Sequence, residues 1–203
     1  MPRVVVIAGP NGAGKSTTAP PIVRKAFGIE EFVNADLIAQ GLSVLAPESA
    51  AFGAGRIMLT RIRELAGARR NFAFETTLAS RTFATLLRRW RAEGYEFHLV
   101  YLWLPSASAA VRRVRERVRT GGHRVPEAIV RRRYARSLSN FFNLYRPFSD
   151  SWLLLDNSGQ PNPRAIAWRN VGGPVNWDRG GPWQRLRRKY EKDVLDEGLL
   201  DES

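Results

Sequence analysis

The chain has 203 residues, of which 44% are hydrophobic, and it contains no cysteine. A chain of this length fits one domain with a sizeable core, and without cysteine it can form neither a disulfide framework nor a thiolate metal site. No apolar run approaches the length of a membrane span and no signal peptide precedes the first strand-like run, so we expect a cytoplasmic protein without a membrane partner.

The charge is strongly positive, because 32 Lys and Arg residues stand against 19 Asp and Glu residues and give a formal net charge of +13. Such a balance is compatible with nucleic acid, an acidic membrane surface or a small anionic substrate as partner. Residues 111–136 hold ten arginines and two glutamates, whereas the last eleven residues hold five acidic residues and no basic one. We interpret most of these arginines as a solvated helix face and expect a catalytic role for two or three.

The first predicted element is a strand at residues 4–7, followed directly by a glycine-rich loop of the pattern GxxxxGKS. We predict that a helix at residues 16–26 comes next and that Pro20 and Pro21 make it kink or stop early. A loop between a strand and a helix can turn successive N–H groups inward around a phosphate. The expected nucleotide-binding residues are Gly9, Pro10, Asn11, Gly12, Ala13, Gly14, Lys15, Ser16 and Thr17.

Two residues of this loop are expected to carry chemistry. Lys15 would reach the β- and γ-phosphates of ATP, and the Ser16 hydroxyl would ligate Mg²⁺. The alternative is a turn that merely joins a strand to a helix, but the strand–loop–helix context and the fixed positions favour phosphate binding. We therefore expect an α/β fold like that of P-loop nucleoside-triphosphate hydrolases and kinases, with three α/β/α layers and a mainly parallel sheet.

The first carboxylate beyond the next predicted strand is Asp36. Residues 32–34 (FVN) form that short strand, and in open α/β sheets ligands gather beyond the carboxyl ends of strands. Asp36 is therefore a candidate to bind the substrate and to accept the proton of an attacking hydroxyl. The alternative, which the sequence leaves open, is that Asp36 caps a helix beginning at Leu37.

The same argument applies to a second carboxylate, that of Glu75. Residues 48–67 predict a helix and residues 71–75 (NFAFE) a strand that ends on Glu75. Glu75 and Thr77 then reach the same sheet edge as the phosphate-binding loop. In phosphate-loop enzymes a carboxylate at this place holds Mg²⁺ through water. Glu75 either helps to hold Mg²⁺ beside Ser16 or binds the substrate together with Thr77.

The middle of the chain alternates between helix and strand patterns. Residues 79–93 predict a helix, residues 97–104 a central strand buried on both faces, and residues 152–156 and 165–168 two more strands, the last at a sheet edge. We assign residues 1–170 to one kinase-like domain. Residues 171–203 are expected to be a peripheral tail with a charged helix at 183–195.

Residues 106–140 are predicted to form an arginine-rich helical lid. Gly121-Gly122 separates its two helices, and Pro126 begins the second one. Closure of such a lid would bring guanidinium groups onto the transferring phosphoryl group. We expect His123 to cap or hydrogen-bond the hinge rather than ligate a metal. The candidate catalytic arginines are Arg117, Arg124 and either Arg132 or Arg133.

With these motifs the chain resembles the zeta-toxin family of phosphate-loop kinases, in particular its small stand-alone bacterial branch. The resemblance extends over residues 3–168. Its points are residues 9–16, Asn34-Ala35-Asp36, Phe74-Glu75-Thr76-Thr77, and Gly121-Gly122-His123 with Pro126 and Arg132-Arg133. In the toxin pattern an arginine follows closely after the Glu-x-Thr segment, whereas here residue 79 is Ala and the nearest arginine is Arg81.

The resemblance implies a kinase that uses ATP and Mg²⁺, with Asp36 as the base, Glu75 and Thr77 beside the substrate, and lid arginines as charge stabilisers. Better-known members of the family phosphorylate the amino-sugar hydroxyl of UDP-N-acetylglucosamine, and an antitoxin protein holds them in check. The small anionic substrate expected here is thus a nucleotide-sugar, and an antitoxin is a candidate partner.

Other functions were weighed against this one. A nucleoside or polynucleotide kinase would use the same residues, and the charge of +13 favours it modestly. A GTPase switch is disfavoured because no NKxD run would read guanine, and a transporter-type ATPase because no LSGGQ signature is present. A non-catalytic nucleic-acid binder would explain the charge but would leave the phosphate-binding loop and Asp36 without a purpose.

Overall fold

The computed structural model describes residues 1–43, 47–120, 122, 124–159 and 162–192. The strands are β1 (Arg3–Ala8), β2 (Phe32–Val33), β3 (Phe72–Thr76), β4 (Glu96–Trp103), β5 (Ser151–Asp156), β6 (Arg164–Arg169) and β7 (Val175–Trp177). The helices are α1 (Lys15–Phe27), α2 (Ala35–Leu42), α3 (Pro47–Gly67), α4 (Thr82–Ala92), α5 (Ala107–Arg119), α6 (Glu127–Asn140) and α7 (Trp183–Tyr190). A π-helix, Phe141–Tyr145, and a 3₁₀-helix, Arg146–Phe148, continue directly from α6.

All of these strands belong to one sheet, in the order β2-β3-β1-β4-β5-β6-β7. The first five in this order pair in parallel, whereas β6 and β7 run antiparallel to their neighbours. Helices lie on both sides of the sheet, which confirms the expected three-layer α/β/α fold with a mainly parallel sheet.

The central strand β1 places the phosphate-binding loop. Its residues 4–8 are fully buried, as a continuous apolar run in a parallel sheet with both faces covered should be. Its last residue, Ala8, pairs with Thr76 at the end of β3 and with Tyr101 of β4. The loops that follow β1 and β3 therefore leave the sheet at one edge, as the sequence predicts.

The first helix does not stop at its prolines. α1 runs unbroken from Lys15 to Phe27 with Pro20 and Pro21 inside it, so of the two predicted outcomes, a kink or an early stop, the early stop is wrong. Both prolines are exposed, and the carbonyls that they leave without a helical partner, those of Ser16 and Thr17, can be hydrated. The apolar side of the helix, which buries Ala19 and Val23, keeps it on the sheet.

The far edge of the sheet also differs from the prediction. Residues 165–168 do form a strand, β6, but β7 pairs outside it, so β6 is not the edge. β7 has only three residues, two of them exposed, and such a short strand gives almost no alternating pattern to detect.

Of the described residues after 171, those of α7 pack on the domain. Trp183 of α7 is 1% exposed and stacks on Trp152 of β5, with ring centroids 5.3 Å apart. The predicted charged helix at 183–195 ends earlier than expected, because α7 stops at Tyr190 and Glu191 has an extended backbone. Residues 193–195 lie outside the described residues, as do Gly121 and His123 of the predicted hinge. No helix in the described part of the chain is long and apolar enough to cross a membrane.

Candidate active site

The glycines of the phosphate-binding loop are required by its geometry. Gly9 and Gly12 have φ angles of 144° and 79°, a region that residues with side chains rarely adopt. A Cβ on Gly12 would lie 2.8 Å from the carbonyl oxygen of Ala110, and one on Gly9 would collide with the carbonyl oxygen of Leu102. The loop is therefore pressed against β4 and α5 and has no room for larger residues.

Lys15 lies at the centre of a buried polar cluster. Its Nζ donates hydrogen bonds to the carbonyl oxygens of Gly9 at 2.9 Å and Pro10 at 3.1 Å. The same nitrogen lies 3.7 Å from Oε1 of Glu75. Lys15 and Glu75 are 7% and 9% exposed, so the pair is shielded from water and each charge depends on the other.

Burial sets the proton affinities of this pair. It lowers the pKa of Lys15, against the attraction of Glu75 and Asp36. It raises the pKa of Glu75, against the attraction of Lys15. Charged groups removed from water favour their neutral forms unless partners compensate. A phosphate brought to Lys15 would supply such a partner.

Glu75 also holds two residues of the site together. Its Oε2 accepts hydrogen bonds from Asn34 Nδ2 at 2.6 Å and from Ser16 Oγ at 3.2 Å. Asn34 in turn caps α2, because its Oδ1 accepts from the backbone N–H groups of Asp36 at 2.8 Å and Leu37 at 3.2 Å. Thus the start of α2 is tied to the end of β3.

This arrangement decides one question that the sequence left open. α2 begins at Ala35, and its cap is Asn34, so the reading of Asp36 as the cap is wrong. Asp36 lies in the first turn, its side chain is exposed, and it faces the same cavity as the phosphate-binding loop. The carboxylate is therefore available to a ligand in that cavity.

The cavity has a volume of about 850 Å³ and is formed by the phosphate-binding loop, the ends of β2 and β3, and parts of α2 to α6. One wall is apolar and comes from α3, with Phe52 exposed at the rim and the Arg56 guanidinium 5.3 Å from the centre of its ring. The predicted residues that line it are Asn11, Gly12, Gly14, Lys15, Ser16, Thr17, Asp36, Glu75, Thr77, Arg117 and Arg133.

Not every predicted residue reaches this cavity. Arg124 lines a different one, of about 390 Å³, between α5 and α6. That cavity is bordered by the valine stripe of α5, which includes Val114 and Val118, whereas Arg113 and Arg117 occupy another face of the same helix. Arg132 is exposed and lines neither cavity. Of the predicted lid arginines, Arg117 and Arg133 line the cavity that the phosphate-binding loop also lines.

The second helix of the predicted lid is fixed to the core. Val130, Tyr134 and Leu138 of α6 are buried, and the Tyr134 hydroxyl donates to the carbonyl oxygen of Leu104 at 2.8 Å. Arg133 is therefore carried by a helix with many core contacts.

Several residues of the site were missed from the sequence. Asn157 Nδ2 donates to the carbonyl oxygen of Ala13 at 2.6 Å, so it braces the phosphate-binding loop from β5. Arg113 donates to the carbonyl oxygen of Ser158 at 3.1 Å. Asn157 could have been predicted from the sequence, because it directly follows a strand. In open α/β sheets, ligands bind beyond the carboxyl ends of the strands. Asn34 directly follows β2 in the same way.

The loop between β3 and α4 has an unusual backbone. Leu78 has a φ angle of 59° and is fully buried. For a residue other than glycine this conformation costs about 1–3 kcal/mol and persists only where neighbouring contacts hold it. After this loop, α4 begins at Thr82 rather than at residue 79 as predicted.

Comparison with known proteins places the fold. A family model described as "AAA domain" matches residues 4–140. An uncharacterized protein of Haemophilus influenzae is 26% identical over 135 residues, which cover 65% of this chain and 92% of that protein.

Among solved structures, the crystal structure of AvrRxo1-ORF1:-ORF2 with ATP matches with a TM-score of 0.67 at 15% identity. The match covers 92% of this chain and 63% of that one. This chain therefore spans less than two thirds of that structure's length. The structure of the PezAT chromosomal toxin–antitoxin system of Streptococcus pneumoniae matches with a TM-score of 0.59 at 12% identity. The match covers 99% of this chain and 88% of that one. At such identities the likeness shows the fold alone. Because the family model matches residues 4–140, more than half of the 203 residues, the chain belongs to the AAA-domain family.

Proposed function

We propose that this protein is an ATP- and Mg²⁺-dependent phosphotransferase that moves the γ-phosphoryl group to a hydroxyl of a small metabolite. The observation that carries the proposal is the placement of Asp36, which faces the same cavity as Lys15 and Ser16. A base beside the phosphate-binding loop is what phosphoryl transfer to a hydroxyl needs and what simple nucleotide binding does not.

The residues at the loop fit a magnesium ion. Ser16 Oγ and Glu75 Oε2 lie 3.2 Å apart, and both are the oxygen ligands that Mg²⁺ prefers. No group of three or more His, Cys, Asp or Glu residues suited to a metal occurs in the described ranges. Mg²⁺ commonly uses few protein ligands together with substrate phosphates and water. Bound there, the ion would neutralise charge that develops on the phosphates.

Each side chain has a defined part in the transfer. Lys15 exchanges the carbonyl oxygens of Gly9 and Pro10 for the phosphates, Asp36 takes the proton of the acceptor hydroxyl, and the hydroxyl oxygen attacks the γ-phosphorus. The bond to the leaving ADP oxygen breaks in the same step. Arg117 and Arg133, which line the cavity, stabilise the charge on the transferring group.

For the acceptor we propose a nucleotide-sugar like UDP-N-acetylglucosamine. The resemblance in the segments around Asp36 and Glu75 supports this choice. So does the acceptor side of the cavity, where Phe52 offers an exposed ring and Arg56 a positive charge beside it. Such a pair suits a ligand that combines a flat ring with phosphate groups.

An inhibitory protein partner belongs to the same proposal. The PezAT structure comes from a toxin–antitoxin system, and the AvrRxo1-ORF1 structures contain ORF2 as a second component. ATP is present in one of the latter. These neighbours support ATP as the nucleotide and an antitoxin-like protein as the partner.

A mass-spectrometric screen tests the function. The protein would be incubated with ATP, Mg²⁺ and one acceptor at a time: UDP-N-acetylglucosamine, other nucleotide-sugars, nucleosides and a short oligonucleotide. Asp36→Asn and Lys15→Ala are the controls, and both should lose transfer, while only Lys15→Ala should lose ATP binding. A phosphorylated nucleotide-sugar that depends on Asp36 supports the proposal. Phosphate gain on the oligonucleotide or nucleosides alone would reject the sugar, and wild-type transfer by Asp36→Asn would reject the base.

A further inference from the structure

One helical stretch holds the loop at residues 77–81 through its carbonyl groups. Ser137 Oγ donates to the carbonyl oxygen of Thr77 at 2.5 Å, and Asn140 Nδ2 donates to that of Leu78 at 2.8 Å. The Tyr145 hydroxyl donates to the carbonyl oxygen of Ser80 at 2.7 Å. Three of the loop's carbonyls thus depend on side chains of α6 and of the π-helix that follows it.

Two rare backbone features meet at this contact. On one side is Leu78, fully buried with a φ angle of 59°. On the other is the π-helix Phe141–Tyr145, whose wide turn changes the direction of the side chains that follow α6. Strained residues and π-turns both cluster at functional sites. Here the π-helix brings Tyr145 to the loop while Phe141 stays in the core.

The same helix also serves the other side of the cavity. Arg133, one turn before Ser137, lines the cavity, and so do Thr77 and Ser80 of the loop. Ser137 is fully buried and its hydroxyl lies 2.7 Å from that of Tyr101 in β4. α6 therefore fixes Arg133 and the loop relative to one another and to the sheet.

We propose that Ser137, Asn140 and Tyr145 are positioning residues for the phosphoryl acceptor. They keep Leu78 in its left-handed conformation, and this places Thr77 and Ser80 on the wall of the cavity that Asp36 also lines. The inference rests on the proposed function, and it concerns the acceptor side only, because the phosphate-binding loop has its own supports. Loss of these hydrogen bonds should weaken the use of the acceptor and leave ATP binding intact.

The matched comparison is Asn140→Ala against Asn143→Ala. Asn143 belongs to the same helical stretch, but its Nδ2 donates to the carbonyl oxygens of Ser139 and Tyr190 at 2.9 and 2.6 Å, away from the loop. For each variant the steady-state KM and kcat for UDP-N-acetylglucosamine and for ATP would be measured. Hydrogen exchange of the backbone amides of residues 76–82 would be followed by mass spectrometry without any ligand.

We expect Asn140→Ala to lower kcat/KM for the sugar about tenfold or more, since a buried carbonyl loses its donor, while KM for ATP stays within about twofold. Exchange of residues 76–82 should become faster in Asn140→Ala and stay unchanged in Asn143→Ala. Equal exchange in the two variants, or an equal loss of sugar kcat/KM, would overturn the inference. If the wild type transfers phosphate to no acceptor, the proposed function falls, and the exchange comparison alone decides the role of Asn140.

Discussion

The amide group of Asn34 joins two parts of the site that are 41 residues apart, because Nδ2 donates to Glu75 Oε2 at 2.6 Å while Oδ1 caps α2. The side chain is 4% exposed, so neither bond is weakened by competing water. An amide can make both bonds at once, because its nitrogen donates while its oxygen accepts. The helix that carries Asp36 is therefore aligned with the carboxylate beside Lys15.

Two substitutions at Asn34 separate these bonds. Asn34→Ala loses both, and we expect it to lower the free energy of unfolding by about 2 kcal/mol or more. Asn34→Ser keeps a capping oxygen but cannot reach Glu75 as the amide does. Its free energy of unfolding should therefore be about 1 kcal/mol higher than that of Asn34→Ala. Urea denaturation of the three proteins measures the difference. Equal stability of the Ala and Ser variants would show that the cap does not contribute.

The bond from Asn157 to the phosphate-binding loop predicts an effect on ATP alone. Asn157→Ala removes the 2.6 Å hydrogen bond to the carbonyl of Ala13, so we expect the loop to loosen and Kd for ATP to rise about tenfold. Ser158→Ala is the control, because the contacts of Ser158 here are made by its backbone. Titration calorimetry with ATP gives both values. An Asn157→Ala protein that binds ATP like the wild type would mean that the loop holds its shape without this bond.

Acid should act on an ion pair outside the site. Burial alone would raise the pKa of Asp150, but hydrogen bonds from Arg91 and from the backbone N–H of Phe97 outweigh it and hold the pKa below its usual 3.8. The stability that this carboxylate contributes is therefore present above pH 3.8 and lost as the pH falls through its lowered pKa.

Asp150→Asn should accordingly lower the free energy of unfolding by about 1–2 kcal/mol at pH 7, and the difference from the wild type should shrink as the pH falls below 3.8. Glu93→Gln is the control: its partner Arg89 is four residues away on the surface, and such pairs contribute about 0.5 kcal/mol or less. Chemical denaturation at several pH values gives both curves. A pH-independent deficit in Asp150→Asn would contradict the assignment.

The sequence was most informative where a short local pattern dictates the backbone. The β-branched run before Gly9 and the fixed spacing to Lys15 predict β1, the loop and α1 together, since strand, turn and helix are adjacent in the chain. Contacts between distant segments left no such pattern. The bond of Asn34 to Glu75 and the left-handed Leu78 depend on tertiary contacts that appear only when β2 lies beside β3 and α6 lies over the loop.

The sequence alone also could not show which of the clustered arginines reach the cavity. Ten of them crowd residues 111–136, and charge alone cannot rank them. Their positions on the helices distinguish them. Arg113 and Arg117 lie four residues apart and share one face of α5, whereas Arg124 follows that helix and borders the valine stripe. Ranking them required the position of α5 and α6 over the sheet.

That ranking gives a last prediction, which compares neighbouring arginines. Arg133 lines the cavity on a helix fixed to the core, while Arg132 is exposed beside it and Arg124 borders another cavity. An arginine that stabilises a transferring phosphoryl group contributes on the order of 10³-fold to kcat. We expect Arg133→Ala to lose most of that factor with little change in ATP affinity, and Arg132→Ala and Arg124→Ala to keep kcat within about threefold of wild type. Single-turnover transfer measured for the three variants tests this. A large loss in Arg124→Ala together with an active Arg133→Ala would mean that Arg124, and not Arg133, stabilises the transferring phosphoryl group.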